Sequence, residues 1–123
     1  MRLRYGLVAV TVGLLGLTLV LAACGGGGGG GGTTVTGNDQ YRFDPPNVTV
    51  KANQPATVTL RNTGSLAHDW TVQGMSSPVS VKAIGGQTQS VTFTPTQTGT
   101  FRVVCVEPGH EQSGMVGQLI VSA

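Results

Sequence analysis

Hydrophobic and polar residues alternate along most of the chain beyond residue 40. Alternation with a period of two turns one side of an extended segment toward a core and the other toward water, which is typical of half-buried β-strands. Valine and threonine dominate these segments, and both favour strands. No sustained helical period occurs beyond the N-terminal apolar run. The apolar positions of the clearest strands are Val48 and Val50, then Ala56, Val58 and Leu60, then Val91 and Phe93, and finally Phe101 and Val103.

Turn-forming sequences separate these segments at short intervals. Glycine, proline, asparagine and aspartate recur between the apolar runs, as tight connections require. Short strands at this spacing predict an all-β sandwich or barrel, built as one domain over residues 33–123. The turn sequences begin at Asp44, Asn62, Gly85, Thr98 and Pro108.

Residues 1–23 predict an export signal that precedes the fold. Arg2 and Arg4 form a short basic region, and an uncharged, mostly apolar run then leads to Leu21-Ala-Ala-Cys24. This ending resembles the lipobox of bacterial lipoproteins, in which the cysteine becomes the lipidated first residue of the mature chain. An uncleaved membrane anchor is the alternative, because a span needs about 20 apolar residues. Both alternatives keep the arginines in the cytoplasm and export the rest.

Residues 24–32 predict a tether between that signal and the domain. An unbroken glycine run follows Cys24 as far as Gly32. Such a run behaves as a random coil with a reach of about 15 Å. Together with a lipid on Cys24, it predicts a domain that is anchored to the cell membrane and faces the periplasm or the extracellular side.

Removal of the signal changes the charge balance of the chain. The full sequence carries seven basic and five acidic residues, and the loss of Arg2 and Arg4 leaves five of each. The mature chain has no basic stripe with interleaved aromatic residues, which excludes nucleic acid as an expected partner. The remaining charges are Arg42, Lys51, Arg61, Lys82 and Arg102, and Asp39, Asp44, Asp69, Glu107 and Glu111.

The segment from Cys105 to Met115 carries the candidate chemistry. Cys105, His110 and Met115 follow at a Cys-x4-His-x4-Met spacing, and His68 supplies a second imidazole upstream. With Cys24 lipidated or removed, Cys105 has no disulfide partner within an exported chain, which indicates a reactive or ligating thiol. Two imidazoles and a thiolate with a weak axial thioether are the ligands of a blue-copper electron-transfer site.

Strand alternation brings these residues to one end of the predicted fold. Phe101, Val103 and Cys105 share one strand face, and the apolar members of that face point the thiol toward the interior. His68 begins another apolar strand, and the last strand follows directly after Met115. The four candidate ligands are therefore expected to gather around one site.

The order of these ligands resembles that of the cupredoxins over residues 40–123. The resemblance implies a Greek-key β-sandwich that holds one type 1 copper. It implies His68, Cys105 and His110 as equatorial ligands and Met115 as the axial ligand. The implied function is one-electron transfer between a donor and an acceptor protein that bind a monomer transiently, without enzymatic activity.

One residue departs from the family's pattern. Many cupredoxins have asparagine directly after the first histidine ligand, where it ties the two ligand loops together, whereas this chain has Asp69. Groups in the outer shell tune a metal site strongly. The contact to the thiolate and the reduction potential are therefore open at this point.

Other functions fit the residues less well. A dinuclear copper centre needs a second cysteine on the loop, and a multicopper enzyme needs further histidine pairs. Structural zinc sites prefer four strong ligands, and a hydrolytic cysteine needs an accessible thiolate. The remaining alternative is a lipoprotein that carries or buffers copper for another protein. Few methionines and histidines are present, which favours electron transfer over that alternative.

Overall fold

The computed structural model describes residues 31–123, which fold into nine β-strands and contain no helix. The all-β prediction is confirmed. The predicted export signal, Cys24 and most of the glycine run lie outside the described residues. The strands are β1 (Gly32–Asn38), β2 (Arg42–Asp44), β3 (Asn47–Lys51), β4 (Ala56–Asn62), β5 (His68–Val72), β6 (Val79–Ala83), β7 (Thr88–Phe93), β8 (Gly99–Val104) and β9 (Val116–Ser122).

The nine strands form two sheets that enclose a common core. One sheet has the order β2-β1-β4-β7, and the other has the order β3-β9-β8-β5-β6. β1 runs parallel to β4 and β3 runs parallel to β9, whereas the other neighbouring strands are antiparallel. Because the chain crosses repeatedly between two separate sheets, the architecture is the Greek-key sandwich that the resemblance implied and not a closed barrel.

The predicted alternation appears in the strands as alternating burial. In β4, Ala56, Val58 and Leu60 are buried and the threonines between them are half-buried. In β7, by contrast, Val91 and Phe93 are only half-buried, because this strand is an edge strand of its sheet. Its exposed face carries Thr88, Ser90 and Thr92, which suit a strand that borders water.

Three strands were not predicted from the sequence. β6 has a regular alternation of buried and exposed residues, so its sequence carries the same period of two as the predicted strands. β1 and β2 gave a weaker signal, because β1 contains two glycines and only one valine, and β2 has three residues. β1 matters for the site, since the turn that follows it approaches two of the candidate ligands.

The core lies between the two sheets and contains one tryptophan. Trp70 of β5 is fully buried, and its ring lies 6.4 Å from that of Phe93 on the facing sheet. The described residues contain no helix that is long and apolar enough to cross a membrane. The other buried apolar residues are Val35, Phe43, Val48, Ala56, Val58, Leu60, Val72, Val79, Val81, Ala83, Val103, Val104, Cys105, Met115, Leu119 and Val121.

Candidate metal centre

The four predicted ligands lie at one end of the sandwich. His68 is the first residue of β5, and Cys105 follows the last residue of β8. These two strands are antiparallel neighbours, so the start of one lies beside the end of the other. His110 and Met115 lie on the connection between β8 and β9, hereafter the ligand loop (residues 105–115).

Three donor atoms converge at this end. The Nδ1 atoms of His68 and His110 lie 3.2 Å apart, and the Sγ of Cys105 lies 3.4 Å from the Nδ1 of His110. All three donors lie within 4.8 Å of one another. In a trigonal site with metal–ligand bonds of about 2.0–2.3 Å, neighbouring donors are separated by about 3.5–4 Å. The arrangement is therefore close to the dimensions of a three-coordinate metal site, with two of its donor separations slightly shorter.

Met115 lies next to this set of donors. A Cβ atom placed on Gly37 of β1 would lie 3.3 Å from the Met115 Cε and 3.6 Å from the His68 Cβ. The thioether and the imidazole therefore border the same glycine, whose missing side chain leaves room for both. The Cys105 N–H also donates to the Met115 carbonyl oxygen at 3.1 Å, which closes the ligand loop at its base.

Burial distinguishes His110 from the other three residues. His68, Cys105 and Met115 have no solvent exposure, whereas His110 is half-buried. The ring of Tyr41 packs edge-on against that of His110, with centroids 5.0 Å apart. Among the four residues, His110 is therefore the one with a route to the surface.

Backbone hydrogen bonds fix the conformation of the ligand loop. The His110 N–H donates to the Glu107 carbonyl, and the Met115 N–H donates to the His110 carbonyl at 3.0 Å. Gly109 and Gly114 have φ angles of +82° and +103°, which favour glycine. The loop thus returns His110 and Met115 toward Cys105 through a set of tight turns.

Arg42 of β2 ties this loop to the other sheet. Its Nη1 donates to the Tyr41 carbonyl at 2.9 Å and to the Ser113 carbonyl at 3.1 Å. Gly114 lies under the guanidinium, since a Cβ there would come within 2.5 Å of Nη1. Sequence analysis did not identify Arg42, because 71 residues separate it from Ser113.

The thiol of Cys105 is held in an environment that favours its protonated form in the absence of a metal. Burial raises the pKa of the Cys105 thiol, and the nearby Asp69 charge acts in the same direction. The Asp69 backbone N–H opposes this effect, because it donates to Sγ at 3.4 Å. A cation at the site would reverse the balance, since a coordinated thiol is deprotonated.

Asp69 makes the loop contact that the family's asparagine was expected to make. Its two carboxylate oxygens accept the Val106 N–H at 3.1 and 3.2 Å, and Oδ1 also accepts the Thr71 hydroxyl at 2.7 Å. The carboxylate lies 3.7 Å from the Cys105 Sγ. The connection between β5 and the ligand loop is therefore retained, with a carboxylate beside the sulfur.

The turn between β1 and β2, residues 39–41, contacts both histidines, and sequence analysis missed it. The Oδ1 of Asp39 lies 3.0 Å from the His68 Nε2, and the ring of Tyr41 packs against that of His110. Asn38 shapes the turn, since its Oδ1 accepts the Gln40 and Arg42 N–H groups. Asparagine and aspartate do predict a turn here. Nothing in the sequence places that turn beside the histidines.

The donor set fits copper. Thiolate and thioether are soft ligands that suit Cu(I), and imidazole suits both oxidation states. In a copper-loaded protein, His68, Cys105 and His110 would form the trigonal set, with Met115 as the adjacent thioether. The described residues offer no fourth strong ligand at this position, which a structural zinc site would require.

The fold is similar to that of several solved structures. An auracyanin from Roseiflexus castenholzii has a TM-score of 0.69 with 19% identity, over 78% of this chain and all of that one. Auracyanin A from Chloroflexus aurantiacus has a TM-score of 0.68 with 23% identity, over 76% of this chain and all of that one. The TM-scores show a common fold, and at identities this low the similarity shows the fold alone.

Sequence comparison gives a relative and a family. The chain is 26% identical over 105 residues to the copper-resistant cuproprotein CopI of Rubrivivax gelatinosus, which covers 71% of this chain. It spans 64% of the length of that relative. A family model described as a cupredoxin-like domain matches residues 12–121, most of the chain. The chain therefore belongs to the cupredoxin-like domain family.

Proposed function

We propose that this protein is a mononuclear blue copper protein that carries single electrons between redox partners outside the cytoplasm. The observation that carries the proposal is the convergence of two imidazole Nδ1 atoms and one thiolate sulfur within 4.8 Å, beside a fully buried methionine. This donor set corresponds to the trigonal His2Cys site with a weak axial thioether. Auracyanin A, which shares the fold, is described as a "blue" copper protein.

The protein's own residues would keep the site nearly unchanged during electron transfer. Copper bound there would supply one-electron chemistry by alternating between Cu(II) and Cu(I). His68 is held by Asp39, His110 by the turns of the ligand loop, and Cys105 by the Asp69 N–H. Because these contacts are made between protein groups, little rearrangement should accompany a change in oxidation state.

The surface around the site supports brief docking with partner proteins. The most exposed large apolar side chains of the described residues are Leu66, Ile84 and Val106, at 43%, 54% and 61% exposure. They follow β4, β6 and β8, whose ends lie at the ligand end of the sandwich. Weak redox encounters use small interfaces. Electrons are proposed to enter and leave through His110 near this apolar surface.

A copper carrier or buffer is the second candidate function. CopI, with which this chain shares 26% identity, is described as a copper-resistant cuproprotein. A carrier must release its metal to an acceptor, whereas three of the four candidate ligands here are fully buried. Burial therefore favours retention of copper and supports electron transfer over delivery.

Voltammetry and copper-transfer measurements on the copper-loaded domain, residues 31–123, test these two functions together. We expect one copper per chain, an intense visible band from the Cys105 thiolate and a reversible one-electron wave. Cys105→Ser should abolish the band, because a hydroxyl oxygen is a harder and weaker donor. Rapid loss of copper to an apo-acceptor or a chelator, without a reversible wave, would instead support the carrier.

We also propose that the domain is held at the membrane by a lipid on Cys24. The proposal rests on Leu21-Ala-Ala-Cys24 and the glycine run that follows. Two acyl chains give stable anchoring where one is marginal. Mass spectrometry of the mature N-terminus should find a lipidated Cys24, and Cys24→Ser should prevent processing. An intact Met1 in the wild type would contradict lipidation and leave the copper proposal unaffected.

A further inference from the structure

The Nε2 atom of His68 faces a carboxylate on the side opposite the proposed metal. This atom lies 3.0 Å from an Oδ1 of Asp39, while the Nδ1 of the same ring faces His110. The two residues are 29 positions apart in the sequence and meet because the turn after β1 lies beside the start of β5. His68 is fully buried, so water does not compete for its Nε2.

The carboxylate of Asp39 is itself held in place. Its Oδ2 accepts the Ser65 N–H at 2.7 Å, and its Oδ1 also accepts the Leu66 N–H at 3.3 Å. Gly64 leaves the space that the carboxylate occupies, since a Cβ at that position would collide with it. Asp39 therefore has one orientation, and that orientation presents Oδ1 to His68.

The chemistry of this pair determines which nitrogen of His68 carries the proton. An ionised carboxylate can only accept hydrogen bonds, so the Nε2 must donate. The Nδ1 is then left with a lone pair, and it lies 3.2 Å from the His110 Nδ1 and within 4.8 Å of the Cys105 Sγ. In metal sites, a carboxylate that accepts the outer ring N–H fixes the tautomer and makes the ligating nitrogen a better donor.

We propose that Asp39 is a positioning residue of the metal centre, which orients His68 and shifts the preference of the site toward Cu(II). The inference rests on the proposed copper site. The negative charge of Asp39, transmitted through the imidazole of His68, stabilises Cu(II) relative to Cu(I) and so lowers the reduction potential. Asp39 has this effect without contacting the metal.

Asp39→Asn tests the charge, because an amide oxygen can still accept the His68 N–H. We expect Cu(II) affinity to fall about tenfold or more, as is typical when outer-shell partners of a metal ligand are changed. Cu(I) affinity should change less, so the potential should rise. A tenfold change in the ratio of the two affinities corresponds to about 59 mV for one electron.

Gly64→Ala tests the position of the carboxylate without changing any charge. The added methyl group should displace Asp39 from His68, and the potential should again rise. Glu111→Gln is the matched control, because it removes one negative charge from an exposed side chain of the ligand loop that pairs with Arg102 of β8. This control should shift the potential much less than Asp39→Asn.

A structural role alone would give a different result. Both Asp39→Asn and Gly64→Ala disturb the loop at residues 64–66, so both should lower the unfolding free energy of the apoprotein under either explanation. In the Cu(I) protein, the His68 Nε2–H resonance should be protected from solvent exchange and should lose that protection in Gly64→Ala. Potentials in both variants that move no more than in Glu111→Gln would overturn the proposal. A wild-type domain that binds no copper would overturn the proposed function itself.

Discussion

The thiol of Cys105 has no solvent exposure and lies 3.7 Å from a carboxylate oxygen of Asp69. Burial is the main cause that raises the pKa of this thiol above its ordinary value of 9.0, and the Asp69 charge adds to it. At any pH below 9.0, the thiol of the apoprotein is therefore mainly neutral. We therefore expect single residues around the sulfur to affect both copper uptake and the reduction potential of the loaded site.

Copper uptake should depend on pH through this thiol. Because metal binding displaces the proton, each unit of increase in pH below the raised pKa should strengthen the apparent affinity about tenfold. Competition with a Cu(I) chelator between about pH 7.5 and about pH 8.5 measures how the apparent affinity changes with pH. This interval lies above the range in which histidines ordinarily titrate. Cys105→Ser should lose this component of the slope. A flat dependence in the wild type would mean that the thiolate already exists in the apoprotein.

Replacement of Asp69 by asparagine should raise the reduction potential. The change removes a negative charge 3.7 Å from the sulfur while an amide oxygen can still accept the Val106 N–H. We expect a tenfold change in the ratio of Cu(I) to Cu(II) affinity, or about 59 mV, and a lower pKa of the apoprotein thiol. Asp44→Asn, on the exposed end of β2, is the control. Equal potentials in the two variants would show that the Asp69 charge does not reach the copper.

At the scale of structural elements, the ligand loop depends on a clamp from the opposite sheet. Arg42 of β2 donates to the Ser113 carbonyl and lies directly over Gly114. The loop carries three of the four candidate ligands, and its turns end where β9 begins. β2 therefore contributes to the site through this side chain, although it has only three residues.

Gly114→Ala should destabilise the apoprotein more than Gly86→Ala does. Both glycines have positive φ, so each substitution should cost about 1–2 kcal/mol in backbone strain. Only Gly114 has a close neighbour, and a Cβ there would push the guanidinium of Arg42 from its two carbonyl partners. The loss of these hydrogen bonds should add about 1–2 kcal/mol.

Denaturant unfolding of the apoprotein measures both variants. In an Arg42→Ala background the difference between Gly114→Ala and Gly86→Ala should disappear, because there is no guanidinium left to displace. A difference that persists in that background would place its cause in the loop backbone and not in the clamp.

At the scale of the whole molecule, the two ends of the sandwich differ. The ligand end carries the half-buried His110 and the exposed side chains of Leu66, Ile84 and Val106. The opposite end is formed by connections such as residues 94–98, which are mainly polar. We therefore propose the apolar surface at the ligand end as the place where a redox partner would bind.

A charge introduced at the ligand end should slow electron self-exchange. Two copies that meet at this surface would bring two new carboxylates together in Val106→Glu, and like charges at an interface are costly. We expect a rate about tenfold lower, partly restored by salt. Gln97→Glu, at the opposite end, should leave the rate unchanged, and the visible spectrum should be that of the wild type in both. A wild-type self-exchange rate in Val106→Glu would show that electrons do not enter and leave at this apolar surface.

Much of this architecture was predictable from the chain because the relevant signals are local. The period of two in β4 and β8 reflects the geometry of an extended strand. It is visible in the burial of all of β4 and of residues 100–103 in β8, whereas Val104 is buried as well as Val103. Cys105, His110 and Met115 lie within eleven residues, so their spacing already grouped them. His68 was identifiable because the chain has only two histidines, and its position at the start of an apolar strand placed it at the same end.

The sequence by itself determined the all-β class, six of the nine strands and the residues that could form a metal site. The tertiary structure decided what surrounds them. Asp39 reaches His68 across 29 residues, and Gly37 borders both His68 and Met115, because β1 pairs with β4 in the facing sheet. Pairing between strands depends on the packing of the whole core and leaves no periodic mark in a turn or in a single glycine. The contacts that we propose to set the reduction potential therefore form only after the two sheets have come together.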